Sequence, residues 1–407
     1  MIVRYIAIFA AASLLLVTGH CAPHFESTNR IGLLCIGDTS YGESPILGWL
    51  SLDFAVQWQE LPTDVQGVLT NEEARKVTRI YTPRTLERLL DQYDMLLLLE
   101  PRMHWFSLTE MDRFKRSVDD GVSALLTLWP DTEGYLSLVQ TELASVFPQD
   151  FPQVYKNAEF APFRIEVVEN NPPVLDVFIP VGIERITGED TRPMFPRQGS
   201  TVWAWANKPS LSRIPKDEFI ISWSYGDNDA ENWVIGIDVD ESWFRLSSGN
   251  EYGGDLVLNM IYYSVGKELP PDIFLVHQLR DSFHNYNIRK NLIYSTIEFI
   301  DDFGANTIEL ERAIGEADDG RSVARDLFLE GEYEASYQKI QEMIEGITEL
   351  NEEAVRLKER ALLWIYITEW SAVTGTAVLA GFVLYSLMIR RRLYKEVAIT
   401  RPGTGRR

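Results

Sequence analysis

Polar side chains that could bind a ligand or take part in hydrolysis follow three short apolar segments of the chain. They are Asp38, Thr39, Glu100, Arg102, His104 and Asp131. If the apolar segments are parallel strands, their carboxyl ends meet at one edge of a sheet, where ligands bind in open α/β sheets. Carboxylates and a histidine gathered there could hold a metal or a polar ligand. The alternative is that they are ordinary loop residues that cap helices and pair with one another.

A hydrolase at this edge would use four of these residues, Asp38, Glu100, His104 and Asp131. It would require His104 to lie within hydrogen-bond reach of two carboxylates. A second acidic group, at residues 227–231, lacks the spacing and the closing glutamate of an EF-hand loop, so we interpret it as a solvated turn. The sequence has no glycine-rich phosphate loop and no zinc-binding motif. We therefore predict no catalytic residue, no metal and no cofactor.

The elements that would position these side chains alternate between strand and helix patterns. Short apolar runs predict strands at 30–37, 77–81, 95–100 and 122–129. Amphipathic spacing predicts helices at 45–57, 82–90, 107–119 and 134–147. Thr82 would cap the second of these helices, and Ser107 with Glu110 would form a capping box at the third. This alternation, with short connections, predicts a doubly wound α/β domain on a mostly parallel sheet.

Beyond residue 148 the chain becomes rich in proline and in short strand-like segments. Five further strands are predicted at 163–168, 174–179, 202–206, 219–224 and 233–238. A helix is predicted at 253–265 because its apolar residues recur at helical spacing. The α/β domain would then span residues 30–268.

Two pairs of segments in this region carry a resemblance to known proteins. The first pair, LLDQYDMLLLLE and LTEMDRFKRSVDDGVSALLTLW, resembles the class I glutamine amidotransferase-like superfamily. The second pair, ISWSYGDNDAENWVIGIDVD and EYGGDLVLNMIYYSVG, is similar to the closing strands and final helix of membrane-associated members. The resemblance covers roughly residues 30–268 as a pattern of elements, and it implies a flavodoxin-like, amidotransferase-like sheet.

The chemistry of that superfamily implies a cysteine nucleophile on a tight turn after the central strand, activated by a histidine that a glutamate orients. The turn after the fourth predicted strand reads Trp129, Pro130 and Asp131, with no Cys, Ser or Thr at its head. None of the five histidines lies in the segment that should supply the base. Cys35 lies in the first predicted strand, where we expect it to pack as a small hydrophobe. The resemblance thus implies a catalytically degenerate domain.

Helical patterns follow the α/β domain and predict a stalk at residues 274–365. An amphipathic helix is predicted at 286–313 and a polar break at 315–321. The segment LFLEGEYEASYQKIQEMI resembles one tetratricopeptide-like helix pair, in which small residues allow close helix contact. From Tyr333 a single helix could continue without a proline to Tyr394.

Residues 371–389, SAVTGTAVLAGFVLYSLMI, carry no charge, and Arg390, Arg391 and Arg392 follow directly. At ~1.5 Å per residue this stretch is about 28 Å long, close to the ~30 Å hydrocarbon core of a bilayer. Because arginine-rich flanks are retained in the cytoplasm, we predict a transmembrane helix at 366–390 and a basic cytoplasmic tail at 391–407. The alternative is a buried core helix, which rarely ends in three arginines. Small residues four apart in this helix could also contact a partner helix.

The N-terminus has the pattern of an export signal. Arg4 precedes an apolar run at 6–17, which is too short for a comfortable membrane span. We therefore predict a secretory signal peptide at 1–22. The α/β domain and stalk would then lie outside the cell membrane, in a single-pass protein.

Composition and charge exclude some function classes. The chain has 407 residues, of which 45% are hydrophobic, and a formal net charge of −22. The basic tail makes the exported part more acidic still. An acidic surface repels phosphate backbones, so we exclude nucleic-acid binding.

These observations predict a membrane-anchored, extracytoplasmic binding module for a ligand or a protein. Its expected partners are the lipid bilayer and a membrane protein that contacts the transmembrane helix and stalk. The first alternative is a structural subunit of a membrane assembly. The second is a hydrolase that uses Asp38, Glu100, His104 and Asp131 at the edge of the sheet.

Overall fold

A computed structural model describes residues 30–38, 45–63, 70–128, 132–151, 161–189, 191–209, 216–237, 242–244, 249–301 and 306–399. The chain divides into two compact units. We name Met1–Asp281 with Arg325–Tyr337 the α/β unit, and Ser282–Ala324 with Gln338–Arg407 the helical unit. The predicted signal peptide, Thr39, Asp131 and the end of the basic tail lie outside the described residues.

A nine-stranded mixed sheet forms the centre of the α/β unit. Its strands are β1 (Ile31–Gly37), β2 (Val56–Pro62), β3 (Met95–Leu99), β4 (Ser123–Thr127), β5 (Phe163–Val167), β6 (Thr187–Gly188), β7 (Thr201–Asn207), β8 (Lys216–Tyr225) and β9 (Ala230–Ile235). Their order across the sheet is β2-β1-β3-β4-β9-β8-β7-β5-β6. The first five in this order run parallel, and each remaining strand is antiparallel to its neighbour. The predicted α/β class is confirmed.

Helices of the α/β unit lie on both faces of the sheet. They are α1 (Pro45–Leu50), α2 (Asn71–Tyr81), α3 (Leu86–Gln92), α4 (Leu108–Asp119), α5 (Thr132–Val139) and α6 (Gly253–Ser264). On one face, Leu34, Leu96 and Leu126 pack in one apolar cluster with side chains of α3, α4 and α5. On the other face, the Trp233 indole donates a hydrogen bond to Ser264 Oγ of α6 at 2.7 Å.

Several predicted elements match the structure closely. Strands β1, β3 and β4 lie within the predicted apolar runs, as does helix α6. The predicted capping box opens α4: Ser107 Oγ accepts a hydrogen bond from the Glu110 backbone at 3.3 Å, and the Glu110 carboxylate accepts one from the Ser107 backbone at 2.7 Å. A cap of this kind identifies a helix start from four residues alone.

The prediction of the second strand was wrong. Residues 77–81 belong to helix α2. The helix predicted at 45–57 ends at Leu50, and β2, which was not predicted, begins at Val56. The β-branched residues in 77–81 favour a strand by propensity, but the capping box of Thr70 and Glu73 starts a helix there. Thr78 then donates from Oγ1 to the Pro62 carbonyl at 2.6 Å, which fixes α2 against the end of β2.

Four further boundaries differ from prediction. Thr82 ends α2 rather than capping the next helix, because its hydroxyl donates to the Thr78 carbonyl at 2.6 Å; Thr85 caps α3 instead. The helix predicted at 134–147 ends at Val139 and continues as a separate 3-10 turn, Glu142–Val146. The strand predicted at 174–179 contains a 3-10 turn, and the one predicted at 233–238 begins earlier, as β9.

The helical unit is built from parts of three helices, α7 (Ile273–Asp301), α8 (Ile308–Leu329) and α9 (Tyr333–Ile399). Lys290 of α7 binds Asp318 of α8 at 2.9 Å, and Arg289 of α7 donates to Thr348 Oγ1 of α9 at 2.9 Å. The polar break predicted at 315–321 is wrong, because α8 runs through it without interruption. The long helix predicted from Tyr333 is confirmed.

Candidate functional site

The carboxyl ends of β1, β2 and β3 meet at one edge of the sheet. The Asp38 backbone donates to the Leu99 carbonyl at 2.7 Å, so Asp38 lies beside the end of β3. The Thr63 backbone donates to the Gly37 carbonyl at 2.9 Å, and Thr63 Oγ1 accepts from the Arg102 backbone at 2.9 Å. We name Asp38, Thr63, Glu100 and Arg102 the strand-end cluster.

Exposure varies within this region. Asp38 is 2% exposed and Thr63 is buried, whereas Glu100 and Arg102 are half-buried. His104 is exposed, on the 3-10 turn Met103–Trp105. The structure therefore places Asp38, Glu100 and Arg102 along one edge, as the sequence predicts. Thr63 was missed because β2 was not recognised.

Two residues at this edge have backbone conformations that L side chains rarely adopt. Gly37 has φ +135°, and a Cβ atom added to it would lie 1.7 Å from the Leu99 carbonyl oxygen. Glu100 has φ 53°, in the left-handed region. A non-glycine residue held there costs of order 1–3 kcal/mol, and such outliers cluster at binding sites. The backbone at this edge therefore has an uncommon and specific shape.

This edge does not form a metal centre from its described residues. Within the described ranges, no group of three or more His, Cys, Asp or Glu side chains could hold a metal ion. Asp38, Glu100 and His104 are therefore not gathered as ligands of one cation.

Cys35 is buried in the interior of β1. Burial, reinforced by the nearby charge of Glu60, raises the pKa of its thiol well above the ordinary value. Since the thiolate is the reactive form, this side chain is a packing element and a poor nucleophile.

A second polar group, not predicted from the sequence, lies inside the α/β unit. Arg280 of α7 binds two carboxylates, with its Nε 3.0 Å from Asp53 Oδ2 and its Nη1 hydrogen-bonded to Asp255. Tyr262 donates to Asp53 at 2.8 Å, and His277 Nδ1 lies 2.7 Å from Asp255 Oδ2. We name these five residues the buried ion cluster.

The electrostatics of the buried ion cluster favour its charged form. Burial disfavours the charge on Arg280, but Asp53 and Asp255 outweigh it and raise its pKa. The hydrogen bond to Asp255 likewise raises the pKa of His277 against the effect of burial. Breaking such a pair would leave a buried charge uncompensated, so the cluster fixes the first turns of α7 to α6. The only sequence signal was a pair of basic residues, His277 and Arg280, one turn apart on α7.

The apolar part of α9 is the other feature with a functional implication. Every residue from 371 to 389 is exposed except Ser386, which is half-buried. In the described part of the chain, α9 is the helix long and apolar enough to cross a membrane, and none of its apolar window is buried. It is not a core helix, and it supports a membrane anchor.

No protein-family model matches the sequence, and no curated protein is similar to it. Two solved structures from Salmonella typhimurium match part of the chain. The cytoplasmic protein STM3548 has 15% identity and a TM-score of 0.43, over 57% of this chain and 98% of its own. The cytoplasmic protein STM1381 from strain LT2 has 14% identity and a TM-score of 0.42, over 57% of this chain and 99% of its own. Similarity at this level carries no argument about function.

Proposed function

We propose that the chain is a single-pass membrane protein whose α/β unit is displayed outside the cytoplasm as a non-catalytic binding module. The observation that carries this proposal is the exposed apolar stretch at 371–389 of α9. An exposed apolar surface of this length is costly in water and stable in lipid, where helical backbone groups are already paired.

The orientation of the chain across the membrane follows from the basic residues beside the apolar stretch. Arg390, Arg391 and Arg392 directly follow the apolar stretch, and cytoplasmic flanks carry the excess of Lys and Arg. The remaining chain would then lie on the outer face, and the predicted signal at 1–22 would start its export. The acidic composition suits a soluble exterior domain.

The binding role rests on the strand-end cluster. Ligands of open α/β sheets bind at the carboxyl ends of the strands, and the positive φ angles of Gly37 and Glu100 give that edge a specific shape. The burial of Cys35 and the absence of a Cys, Ser or Thr from the sequence at residues 129–131 support binding without covalent catalysis. The parallel order β2-β1-β3-β4, with helices on both faces, supports the finer interpretation of a doubly wound, amidotransferase-like sheet.

A role as a structural subunit of a membrane assembly is the second candidate. Gly375 and Gly381 lie in the apolar stretch, and a Cβ added to either would meet no atom of the chain within 4 Å. Small residues at such positions permit close packing of another helix. Blue-native electrophoresis of the detergent-extracted protein separates the two roles, since a lone monomer argues against an assembly.

Charge reversal at the cytoplasmic flank tests the proposed orientation. In cells expressing Arg390→Glu, Arg391→Glu and Arg392→Glu together, we expect a majority of molecules to lose the native orientation or fail to insert. External protease should then no longer digest the α/β unit as it does in the wild type. The physical reason is that the arginine cluster supplies the retained charge.

The matched control reverses three exposed basic residues of the α/β unit, Lys76, Arg79 and Arg84, with the same change in net charge. Its protease pattern should equal that of the wild type. An α/β unit of the wild type that external protease cannot reach in intact cells would contradict the orientation.

A further inference from the structure

A groove lies between helices α8 and α9 within the helical unit. Its volume is about 630 Å³. Its half-buried lining consists of small or apolar side chains: Ala313, Ala317, Met343, Gly346 and Leu350. Along α9 the lining runs from Met343 to Arg356, which at ~1.5 Å per residue is a length of about 20 Å.

The exposed lining of this groove is acidic. It consists of Glu316, Glu349, Glu352, Glu353 and a single cation, Arg356. Glu316 is paired with Arg312 at 3.0 Å. In the ranges that the structure describes, no ion pair joins the three acidic residues of α9 to a basic residue. Like charges three or four residues apart destabilise a helix by roughly 0.2–0.5 kcal/mol per pair. A basic partner would therefore stabilise the three acidic residues of α9.

We propose that this groove binds a basic amphipathic helix of a partner protein. A cleft between two helices has the shape that a third helix fills, with small side chains beneath it that allow close approach. A Cβ added at Gly346 would meet no atom of the chain within 4 Å, so the space is open to another molecule. Lys and Arg beside the apolar face of the partner would pair with Glu349, Glu352 and Glu353.

The acidic lining argues against the other occupants of such a groove. A second copy of the chain would bring the same negative charge to the contact, and anionic lipid or nucleic acid would be repelled in the same way. This site is separate from the strand-end cluster and does not require membrane insertion. The proposal can therefore hold or fail independently of the proposed function.

The test uses the full chain in neutral detergent and a fluorescein-labelled, capped peptide of about 14 residues, long enough to span ~20 Å as a helix. The peptide is built from alanine and leucine, with lysine at every fourth position. We expect saturable binding by fluorescence anisotropy. Two variants should each weaken binding of the peptide at least about tenfold, equivalent to ~1.4 kcal/mol. The first is Gly346→Leu, which fills the groove. The second is the triple variant Glu349→Gln, Glu352→Gln and Glu353→Gln. Leucine favours a helix over glycine, so the first variant should keep its fold.

Matched controls separate groove binding from general attraction to an acidic protein. Gly315→Leu places the same side chain at another open helical glycine outside the groove lining. The triple variant Glu309→Gln, Glu334→Gln and Glu359→Gln changes the net charge equally at exposed sites away from it. Both should bind the peptide like the wild type, and a peptide with glutamate in place of lysine should not bind.

Three outcomes would overturn the proposal. One is absence of binding by the lysine peptide. Another is equal weakening by the two triple variants, which would mean attraction to net charge alone. The third is concentration-dependent self-association of the wild type in sedimentation velocity that Gly346→Leu abolishes, which would assign the groove to a second copy.

Discussion

Gly37, which directly precedes Asp38 of the strand-end cluster, has a restricted backbone. Its φ of +135° is rarely adopted by L side chains, and the Leu99 carbonyl would lie 1.7 Å from an added Cβ. We expect Gly37→Ala to lower the free energy of unfolding of the α/β unit by about 2–4 kcal/mol, from backbone strain and displacement of β3. Chemical denaturation followed by tryptophan fluorescence measures the change.

The control for this substitution is Gly48→Ala in helix α1. A Cβ at Gly48 meets no atom within 4 Å, and its φ is not in the left-handed region. Since alanine favours a helix over glycine, this variant should be neutral or more stable by up to about 1 kcal/mol. Equal effects of the two substitutions would show that the edge at Gly37 is not constrained as described.

Part of the candidate site could be predicted from the amino-acid sequence. Asp38 and Glu100 directly follow apolar runs, so their position at a common sheet edge could be predicted from strand ends alone. Thr63 follows β2, an edge strand in which polar and apolar residues mix, and its sequence does not read as a buried strand. The buried ion cluster joins Asp53, Asp255 and Arg280, whose separation along the chain leaves no local pattern.

The attachment of helix α7 to helix α6 depends on the charge of His277. Its Nδ1 faces Asp255 at 2.7 Å and its Nε2 lies 3.4 Å from Asp281. Arg280 on the same helix opposes its charge, and the ring of Tyr252 packs against it at 4.3 Å. With His277 protonated, two cations balance the two buried carboxylates of the cluster; with His277 neutral, one negative charge is left over.

This arrangement predicts a pH dependence of stability. Because the hydrogen bond to Asp255 raises the folded-state pKa of His277 above its ordinary value, its stabilising contribution is fully present below about pH 6.5. It is lost as the pH rises through the folded-state pKa. The difference in unfolding free energy between the wild type and His277→Gln should therefore shrink from about pH 5 to about pH 9.

His284→Gln serves as the control for this experiment, since it removes an exposed histidine from the same helix without touching Asp255. Its stability should follow that of the wild type across the pH range. If the difference in unfolding free energy between the wild type and His277→Gln were constant, or grew with pH, it would contradict the described role of the His277–Asp255 pair.

The prediction of elements succeeded where one local signal was decisive. The capping box at Ser107 and the unbroken apolar runs of β3 and β4 fixed those elements without tertiary information. It failed where propensity and context disagree, as at residues 77–81, whose strand-like composition is overridden by the Thr70 cap and by the contact of Thr78 with β2. Gly320 was interpreted as part of a break, although in α8 it makes room for Met343: a Cβ there would lie 2.0 Å from the Met343 sulfur.

Within the helical unit, one continuous helix joins the residues that line the groove to the apolar stretch at 371–389. Helix α9 extends over 67 residues, from Tyr333 to Ile399. At ~1.5 Å per residue, about 27 Å separates Glu353 from the first residue of that stretch. The acidic groove would therefore stand above the bilayer surface, where a partner anchored in the same membrane could reach it.

Alkaline extraction of membranes from cells expressing the full chain shows whether α9 anchors the protein in the bilayer. The wild type should stay in the membrane pellet after ultracentrifugation. Leu379→Lys with Val383→Lys should move most of the protein to the supernatant, because each lysine at the centre of a span costs about 2.5–3.5 kcal/mol. Val355→Lys with Leu363→Lys, at exposed apolar positions of α9 before the stretch, should leave it in the pellet. Recovery of the wild type in the supernatant would contradict the account.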